Sequence, residues 1–436
     1  MRQDMIWDPD KECIQRDRLQ ELQLERLQET VARVAGKVPF YRRQFAEMHI
    51  DPKDIKSLDD IRRLPFTVKQ DLRDNYPYGL FAVPLKEVVR IHSSSGTTGQ
   101  ATVVGYTRKD LGTWANLLAR IITAAGVSAN DVVQIAFGYG LFTGGFGLHY
   151  GCEAVGASVI PISSGNTRRQ LQIMRDFKST ALVCTPSYSL ILADAMRDMG
   201  IDKSELSLRY GLFGGEPWSE GMRREIHEKL GIVATDNYGL SEVMGPGLSG
   251  ECLECNGLHI NEDHFLVEVL DPVTLDPVPE GEVGELVVTP LTREAFPVIR
   301  YRTRDLSRIL PGECPCGRTF RRMERVLGRS DDMLIIKGVN VFPMQIEKVL
   351  FEVEGTEPHY QIIVEREHHS DRATVLVEAT DALLSDQMRQ QKATVDHIKR
   401  RLNSELGINV EVRLVEERSL ERSEGKARRV IDRRTY

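Results

Sequence analysis

Val132-Val133-Gln134-Ile135-Ala136-Phe137 is a short apolar run closed by Gly138. Three more follow, Ala157–Ile162, Ala181–Thr185 and Tyr210–Phe213, each ended by Ser, Pro or Gly. Between them, Arg168–Phe177 and Ser187–Met199 space their apolar residues as helices do. Near-continuous apolar strands alternating with helices predict an α/β domain whose strands are buried on both faces. Working outward, Leu19, Leu22, Leu24, Leu27, Val31 and Val34 predict a core-packing helix over 16–36, too short for a coiled coil. Val283–Pro290 reads as a further strand. The pattern changes after Gly328-Arg329-Ser330-Asp331-Asp332. Helix-like Met344–Phe351 and Asp386–Leu406 then mix with strand-like Gln361–Glu365, Thr374–Ala379 and Glu411–Glu416. The expected fold class is therefore α/β, with a large N-terminal α/β domain over 1–328 and a small α+β C-terminal domain over 329–436.

The 436 residues leave room for two to four domains. A net charge of −7 argues against a general nucleic-acid binder. Arg428, Arg429, Arg433 and Arg434 form a basic end that reads either as a solvated tail or as a contact for a phosphate-bearing ligand. Asp4, Asp8, Asp10 and Glu12 stand where a secretory signal would be basic and then apolar, and no stretch is long and apolar enough to span a membrane. No membrane partner and a cytoplasmic location are expected. The seven cysteines are an odd number in a chain that is not small, which argues against a disulfide framework. Cys252-x₂-Cys255-x₃-His259 and Cys314-x-Cys316 instead suit tetrahedral Zn²⁺ in a segment around 250–318. Five candidates compete for four positions, and free thiols or a redox pair are the rival readings.

Ser93-Ser94-Ser95-Gly96-Thr97-Thr98-Gly99 is the densest run of hydroxyl residues and glycines in the chain. Such a loop lets main-chain N–H groups converge on an anion, or is simply a polar turn. It lacks the lysine of a GxxxxGK[ST] loop and the GxSxG of a nucleophile elbow. Asp236-Asn237-Tyr238-Gly239-Leu240-Ser241-Glu242, Tyr301-Arg302-Thr303-Arg304-Asp305, Gly328-Arg329-Ser330-Asp331 and Arg422-Ser423-Glu424-Gly425-Lys426 follow in that order. Together they resemble the signature elements of the adenylate-forming enzymes, the superfamily of acyl-CoA synthetases, peptide-synthetase adenylation domains and luciferases.

The resemblance implies roles. Ser94, Ser95, Gly96, Thr97 and Thr98 would cradle the phosphates of ATP, with Gln100 standing where relatives usually have lysine. Tyr238 and Gly239 would flank adenine on one side, and Gly215, Glu216 and Pro217 on the other. Asp236 would accept from the adenine amino group. Asp305 would take both ribose hydroxyls, since one carboxylate can accept both. Arg329 would contact ribose or phosphate, and Asp331 would be the hinge of a mobile C-terminal domain. Glu242 would hold Mg²⁺, and Ser241 the α-phosphate or the acyl carboxylate. Lys426 would bridge carboxylate and α-phosphate, stabilising charge as the two anions meet.

Ser94–Thr107, Tyr139–Gly145, Leu240–Gly247, Ile299–Leu306 and Gly328–Pro343 narrow the resemblance to the phenylacetate–CoA ligase family. That family implies an AMP-forming acid–thiol ligase that makes an aryl-acetyl adenylate and then the coenzyme A thioester. Its acid pocket would be lined by Phe137, Phe142, Gly214, Asn237 and Pro246, beside Gly215. Gly215 stands where alanine is common and enlarges the pocket. Asn237 stands where isoleucine is common: either its amide faces the acid unpaired, favouring a hydroxylated, amino-substituted or indolic acid, or it points elsewhere. Gly338 and Asn340 would serve the coenzyme A step. Some relatives carry a zinc set matching Cys252, His259, Cys314 and Cys316, which leaves Cys255 spare. A homodimer also follows from the resemblance. The alternatives are a relative that adenylylates a deazaflavin, one that loads a carrier protein, or a non-catalytic nucleotide-binding scaffold.

Overall fold

The computed structural model describes residues 5–93, 101–332, 334–336, 339–353, 355–367, 370–385, 388–422 and 429–434. The predicted apolar runs become the strands Val132–Ile135, Ser158–Ile160, Ala181–Cys184 and Tyr210–Gly214. They lie parallel and are joined by helices Gly144–Val155, Thr167–Asp176 and Pro186–Asp198. Val233–Leu240 extends this parallel layer, and Gly245–Glu251, Leu258–Ile260, Arg322–Met323 and Ile309–Leu310 add antiparallel strands on that side. Among the described residues this makes a nine-stranded sheet.

Gly245–Glu251, of sequence GPGLSGE, has no strand propensity to speak of, yet all seven residues are buried. Helix Arg108–Ala124 presses on it. A Cβ at Gly245, Gly247 or Gly250 would come within 2.5, 2.6 or 2.5 Å of Trp114, Leu118 or Ile121. Close helix-on-strand packing selects glycine here, and tertiary contact overrides local preference.

A second, antiparallel sheet orders Phe265–Leu270, Gly284–Pro290, Tyr301–Ser307 and Gly328–Arg329. A ribbon of Arg90–Ser93 and Val103–Tyr106 flanks positions 94–100 of the expected phosphate loop, which lie outside the described residues. After Asp331 and Asp332 a separate core begins at Leu334. Helices Pro343–Leu350 and Met388–Leu406 pack on a sheet ordered Glu411–Val415, Ser370–Ala379, Thr356–Glu367, Val430–Asp432. Of the basic end, Arg428 lies outside the described residues, and the other three arginines are tied to the small core. Arg429 is stacked over Tyr360, Arg433 pairs with Glu365, and Arg434 pairs with Asp371 and Asp432. No described helix is long and apolar enough to cross a membrane.

Buried ion pairs tie distant segments of the large domain. Arg120 meets Asp263 at 2.8 Å and Asp8 at 3.0 Å, and Glu262 receives Arg16 and Arg321. His264 lies beside this knot, with Nδ1 2.7 Å from Thr292 Oγ1 and Nε2 3.3 Å from Asp263. Burial, only partly opposed by Asp263, lowers its pKa to about 4. Folding therefore favours the neutral ring. That stability is full above the unfolded value of about 6.5 and is lost as pH falls toward 4, up to roughly 3 kcal/mol. Urea midpoints measured from pH 7.5 to 4.5 should fall more steeply in the wild type than in His264→Gln.

Candidate active site

The carboxyl ends of the parallel strands converge, which is where ligands bind in open α/β sheets. Phe137 follows the strand Val132–Ile135, Thr185 follows Ala181–Cys184, and Gly214-Gly215 ends Tyr210–Gly214. Asp236 to Leu240 run along the adjacent strand rather than into a helix. Thr143, at the start of helix Gly144–Val155, brings its Oγ1 to 2.8 Å from Ser241 Oγ.

Asp305 joins three of the sequence motifs. One carboxylate oxygen accepts from Tyr238 OH at 2.6 Å and the other from Arg329 Nη1 at 2.8 Å. The local backbone explains its aim. Opposite Asp305 the pairing with Gly284–Pro290 shifts register between Glu285 and Val287, and Arg304 takes a left-handed φ of 69°. A bulge of this kind redirects the side chains beside it. Arg329 also pairs through Nε and Nη2 with both oxygens of the exposed Asp331, at 2.9 and 3.0 Å. The expected ribose, phosphate and hinge residues thus form one connected set.

Asp236 is buried, and its pKa is pushed well up, first by burial and then by the negative charge of Glu251. Arg223 grips both oxygens of Glu251, and Glu251 accepts from Asp236 N at 2.8 Å. Glu216 accepts from Ser187 N at 2.8 Å, which ties the loop 214–217 to the start of helix Pro186–Asp198. The Glu242 carboxylate faces Tyr301, whose hydroxyl is pushed up by burial and by this neighbouring charge.

In the expected acid pocket, the rings of Phe137 and Phe142 lie 6.3 Å apart at 52°. Gly215 has φ +84°, and a methyl there would sit 3.8 Å from Phe137 and 3.9 Å from Thr185. Glycine at 215 therefore leaves about one methyl group of open space. Gly214 has none, since a Cβ would meet Asn237 O at 2.4 Å. The amide of Asn237 is not unpaired: Nδ2 donates to Phe213 O of the neighbouring strand. That bond turns one N–H of the amide toward the neighbouring strand. Pro246 is buried with its ring toward Gly147, and its carbonyl accepts from Trp114 Nε1 at 2.6 Å.

Lys426, Gly338 and the loop residues Ser94, Ser95, Gly96, Thr97 and Thr98 lie outside the described residues, as does the side chain of Asn340. The residue that sequence reasoning missed is Arg293. It is buried and stacked over Tyr106, with Nη1 donating to the carbonyls of Ser241 and Glu242 at 3.1 and 3.2 Å and Nη2 to Gly105 O at 3.3 Å. It fixes the turn that carries Ser241 and Glu242. No spacing rule marks it, because its partners are the main chain of segments 50 to 190 residues away.

The soft-ligand cluster assembles as a compact group. Ligand atoms of Cys252, His259, Cys314 and Cys316 all lie within 4.8 Å of one another. Cys252 Sγ is 3.7 Å from Cys314 Sγ, and Cys316 Sγ is 3.4 Å from His259 Nε2. A zinc tetrahedron with ordinary bond lengths has S–S edges of about 3.8 Å and S–N edges of about 3.6 Å. The four residues fit. Cys255 lies outside this group, its thiol directed at Ala234 O.

The family model described as AMP-binding enzyme matches residues 25–290, and that described as AMP-binding enzyme C-terminal domain matches 338–434. Phenylacetate-coenzyme A ligase of Escherichia coli is 52% identical over 96% of this chain and 95% of its own. The enzyme of that name from Thermus thermophilus is 48% identical over 99% and 100%. The chain belongs to the phenylacetate–coenzyme A ligase family. Among solved structures, this family member superposes with a TM-score of 0.93 on 2-hydroxyisobutyryl-CoA ligase in the postadenylation state with an acyl-AMP. That match is 30% identical and covers 99% of this chain and 93% of the other. The same ligase with coenzyme A in the thioesterification state gives 0.72.

Replacing Arg293 by methionine leaves three buried carbonyls short of a donor. Expected is a loss of about 3 kcal/mol or more, read from urea unfolding, with the fold retained.

Proposed function

We propose that the protein activates an aryl-acetic acid with ATP and passes the acyl group to coenzyme A, releasing pyrophosphate and AMP. The observation that carries this reading is the Asp305 carboxylate, which gathers Tyr238 and Arg329 at the carboxyl end of the parallel sheet. Relatives named for this activity match nearly the whole chain, and they do not favour the deazaflavin, carrier-loading or non-catalytic readings.

In this proposal the acid lies against Phe137 and Phe142, with Gly215 leaving space beside its ring. Adenine stacks on Tyr238. The Asp236 carboxyl, buried beside Glu251, accepts from the amino group of the base. Asp305 keeps further lone pairs for the ribose hydroxyls, beside those used by Tyr238 and Arg329. Ser241, steadied by Thr143, holds the acid's carboxylate against the α-phosphate. Glu242 suits Mg²⁺, which would neutralise charge on the phosphate oxygens. The carboxylate attacks the α-phosphorus and pyrophosphate leaves. The thiol then attacks the acyl carbon and AMP leaves. Lys426 serves the first step. For the second, the C-terminal domain turns about Asp331 and brings the segment of Gly338 and Asn340 to the site. Two states of one relative, matching this chain at 0.93 and 0.72, support such a turn.

Cys252, His259, Cys314 and Cys316 would hold a structural Zn²⁺, closing the turn between Leu310 and Arg322 onto the nine-stranded sheet. A homodimer working in the cytoplasm completes the proposal.

A panel of carboxylic acids with ATP and coenzyme A, followed by AMP release, tests the reading. Phenylacetate or an arylacetate one methyl group larger should give the highest kcat/KM, and without coenzyme A pyrophosphate release should stop near one turnover with almost no AMP set free. No preference for arylacetates would overturn the substrate class. Lys426→Ala should cut adenylate formation at least a hundredfold while sparing conversion of a preformed adenylate, and equal loss in both would refute its role. Metal analysis after chelator-free purification should find close to one zinc per chain. Cys314→Ser should lower both zinc content and Tm, and a metal-free wild type of full stability would refute the site.

A further inference from the structure

The large domain and the C-terminal core also meet away from the convergent motifs. Helix Glu220–Leu230 of the large domain starts at Ser219, whose hydroxyl accepts from Met222 N at 3.2 Å. Its own main-chain N–H points across the boundary and donates to Glu347 Oε1 at 3.1 Å. Glu347 belongs to helix Pro343–Leu350, is buried, and accepts from Tyr360 OH at 2.8 Å through its other oxygen. A carboxylate from one domain thus sits at a helix start of the other, where the partial positive charge favours it.

At Gly221 the two helices close up. A Cβ there would lie 2.3 Å from Phe351 Cβ and 2.8 Å from its Cγ. Phe351 Cβ is fixed by the end of its own helix, so rotating the ring does not make room. The Phe351 ring packs against the apolar cluster of the large domain that includes Trp218 and Met222. Alanine is a better helix former than glycine inside a helix. Glycine at 221 is therefore explained by docking and not by the helix that contains it. A polar rim surrounds the contact, with Lys229 3.6 Å from Glu357, His359 3.4 Å from Asp194 and Arg418 2.5 Å from Asp198. Every one of these contacts crosses the boundary and must part if the small core turns about Asp331.

We propose that Gly221 and Glu347 form a docking seat that fixes the C-terminal domain in the adenylate-forming arrangement. They are positioning residues for the first half-reaction and not for the second. The inference rests on the two-step reading above. In the arrangement present here the chain matches the acyl-AMP-bound relative, and Lys426 belongs in sequence to the docked domain. Weakening the seat lowers the fraction of molecules that offer Lys426 to ATP, and leaves the thioester-forming arrangement at least as populated as before.

Gly221→Ala is the decisive variant, since it favours its own helix and puts folding at little risk. Glu347→Gln is the second, keeping shape while removing charge. Three readouts separate the possibilities: arylacetate-dependent ATP–pyrophosphate exchange, conversion of synthetic phenylacetyl-adenylate by coenzyme A, and hydrogen–deuterium exchange over residues 219–222. For Gly221→Ala, pyrophosphate exchange should fall at least tenfold, thioester formation should stay within twofold, and amide exchange should quicken at least tenfold with Tm undiminished. Glu347→Gln should shift all three in the same sense by a smaller factor. Unchanged pyrophosphate exchange, equal loss in both half-reactions, or undiminished amide protection in Gly221→Ala would overturn the seat. A wild type without any arylacetate-dependent exchange would defeat the two-step reading instead, and amide protection would still decide whether the seat exists.

Discussion

The carboxylate of Asp305 is the constraint on which the arrangement depends. It holds the strand Val233–Leu240 through Tyr238 and the last strand of the large domain through Arg329. These segments come from different sheets, and this one side chain bonds to both. Charge-assisted bonds to an ionised acceptor are the strong kind, and this carboxylate makes one with a guanidinium and accepts a short one from a phenol. The bulge at Glu285 to Val287 and the left-handed Arg304 are the local distortions that aim it. Backbone strain of that kind persists only where surrounding contacts fix it.

Arginines do comparable work elsewhere in the large domain, mostly on main chain and buried acids. Arg293 holds the turn bearing Ser241 and Glu242, Arg223 holds Glu251 beneath Asp236, and Arg120 holds the segment around Asp263. A buried guanidinium is costly unless its donors are matched, and in each of these the terminal Nη groups meet fixed acceptors while Nε makes no hydrogen bond. The result is a rigid platform. The boundary with the small core has a different composition. Among the described residues it includes the apolar contact at Phe351, the buried carboxylate of Glu347 and a rim of pairs that runs from the buried His359–Asp194 to the exposed Arg418–Asp198. Exposed pairs such as Arg418–Asp198 contribute little each, which suits the proposed parting of the two domains.

The parallel strands and their helices were legible because both faces of the strands are covered and the apolar runs are unbroken. The antiparallel half was not. GPGLSGE reads as loop by composition, and becomes a buried strand only because Trp114, Leu118 and Ile121 lie over its glycines. The motif residues Tyr238, Asp305, Arg329 and Asp331 were legible as a set, and the structure joins them. Arg293 was not, since its acceptors are carbonyls and carry no sequence signature. The basic end shows the converse: Arg429, Arg433 and Arg434 look like a charge cluster in sequence, yet they pair within a sheet or stack on Tyr360. The Cys/His spacing was informative to the extent that four of five candidates meet, and the direction of the Cys255 thiol could come only from coordinates.

Residue 237 shows how a pocket reading changes once bonds are known. An asparagine in place of an apolar residue suggests a polar ligand only while its amide lacks a partner. Here one N–H of the amide is donated to Phe213 O, which ties the strand Val233–Leu240 to Tyr210–Gly214 at the point where Gly214 allows close approach. Selectivity then falls to shape, and the open volume beside Gly215 is bounded by Phe137 and Thr185, neither of them charged. One methylene in an apolar pocket changes discrimination by about 1–3 kcal/mol. A pocket left one methyl group wider by Gly215 should therefore broaden the range of arylacetates accepted rather than exchange one acid for another.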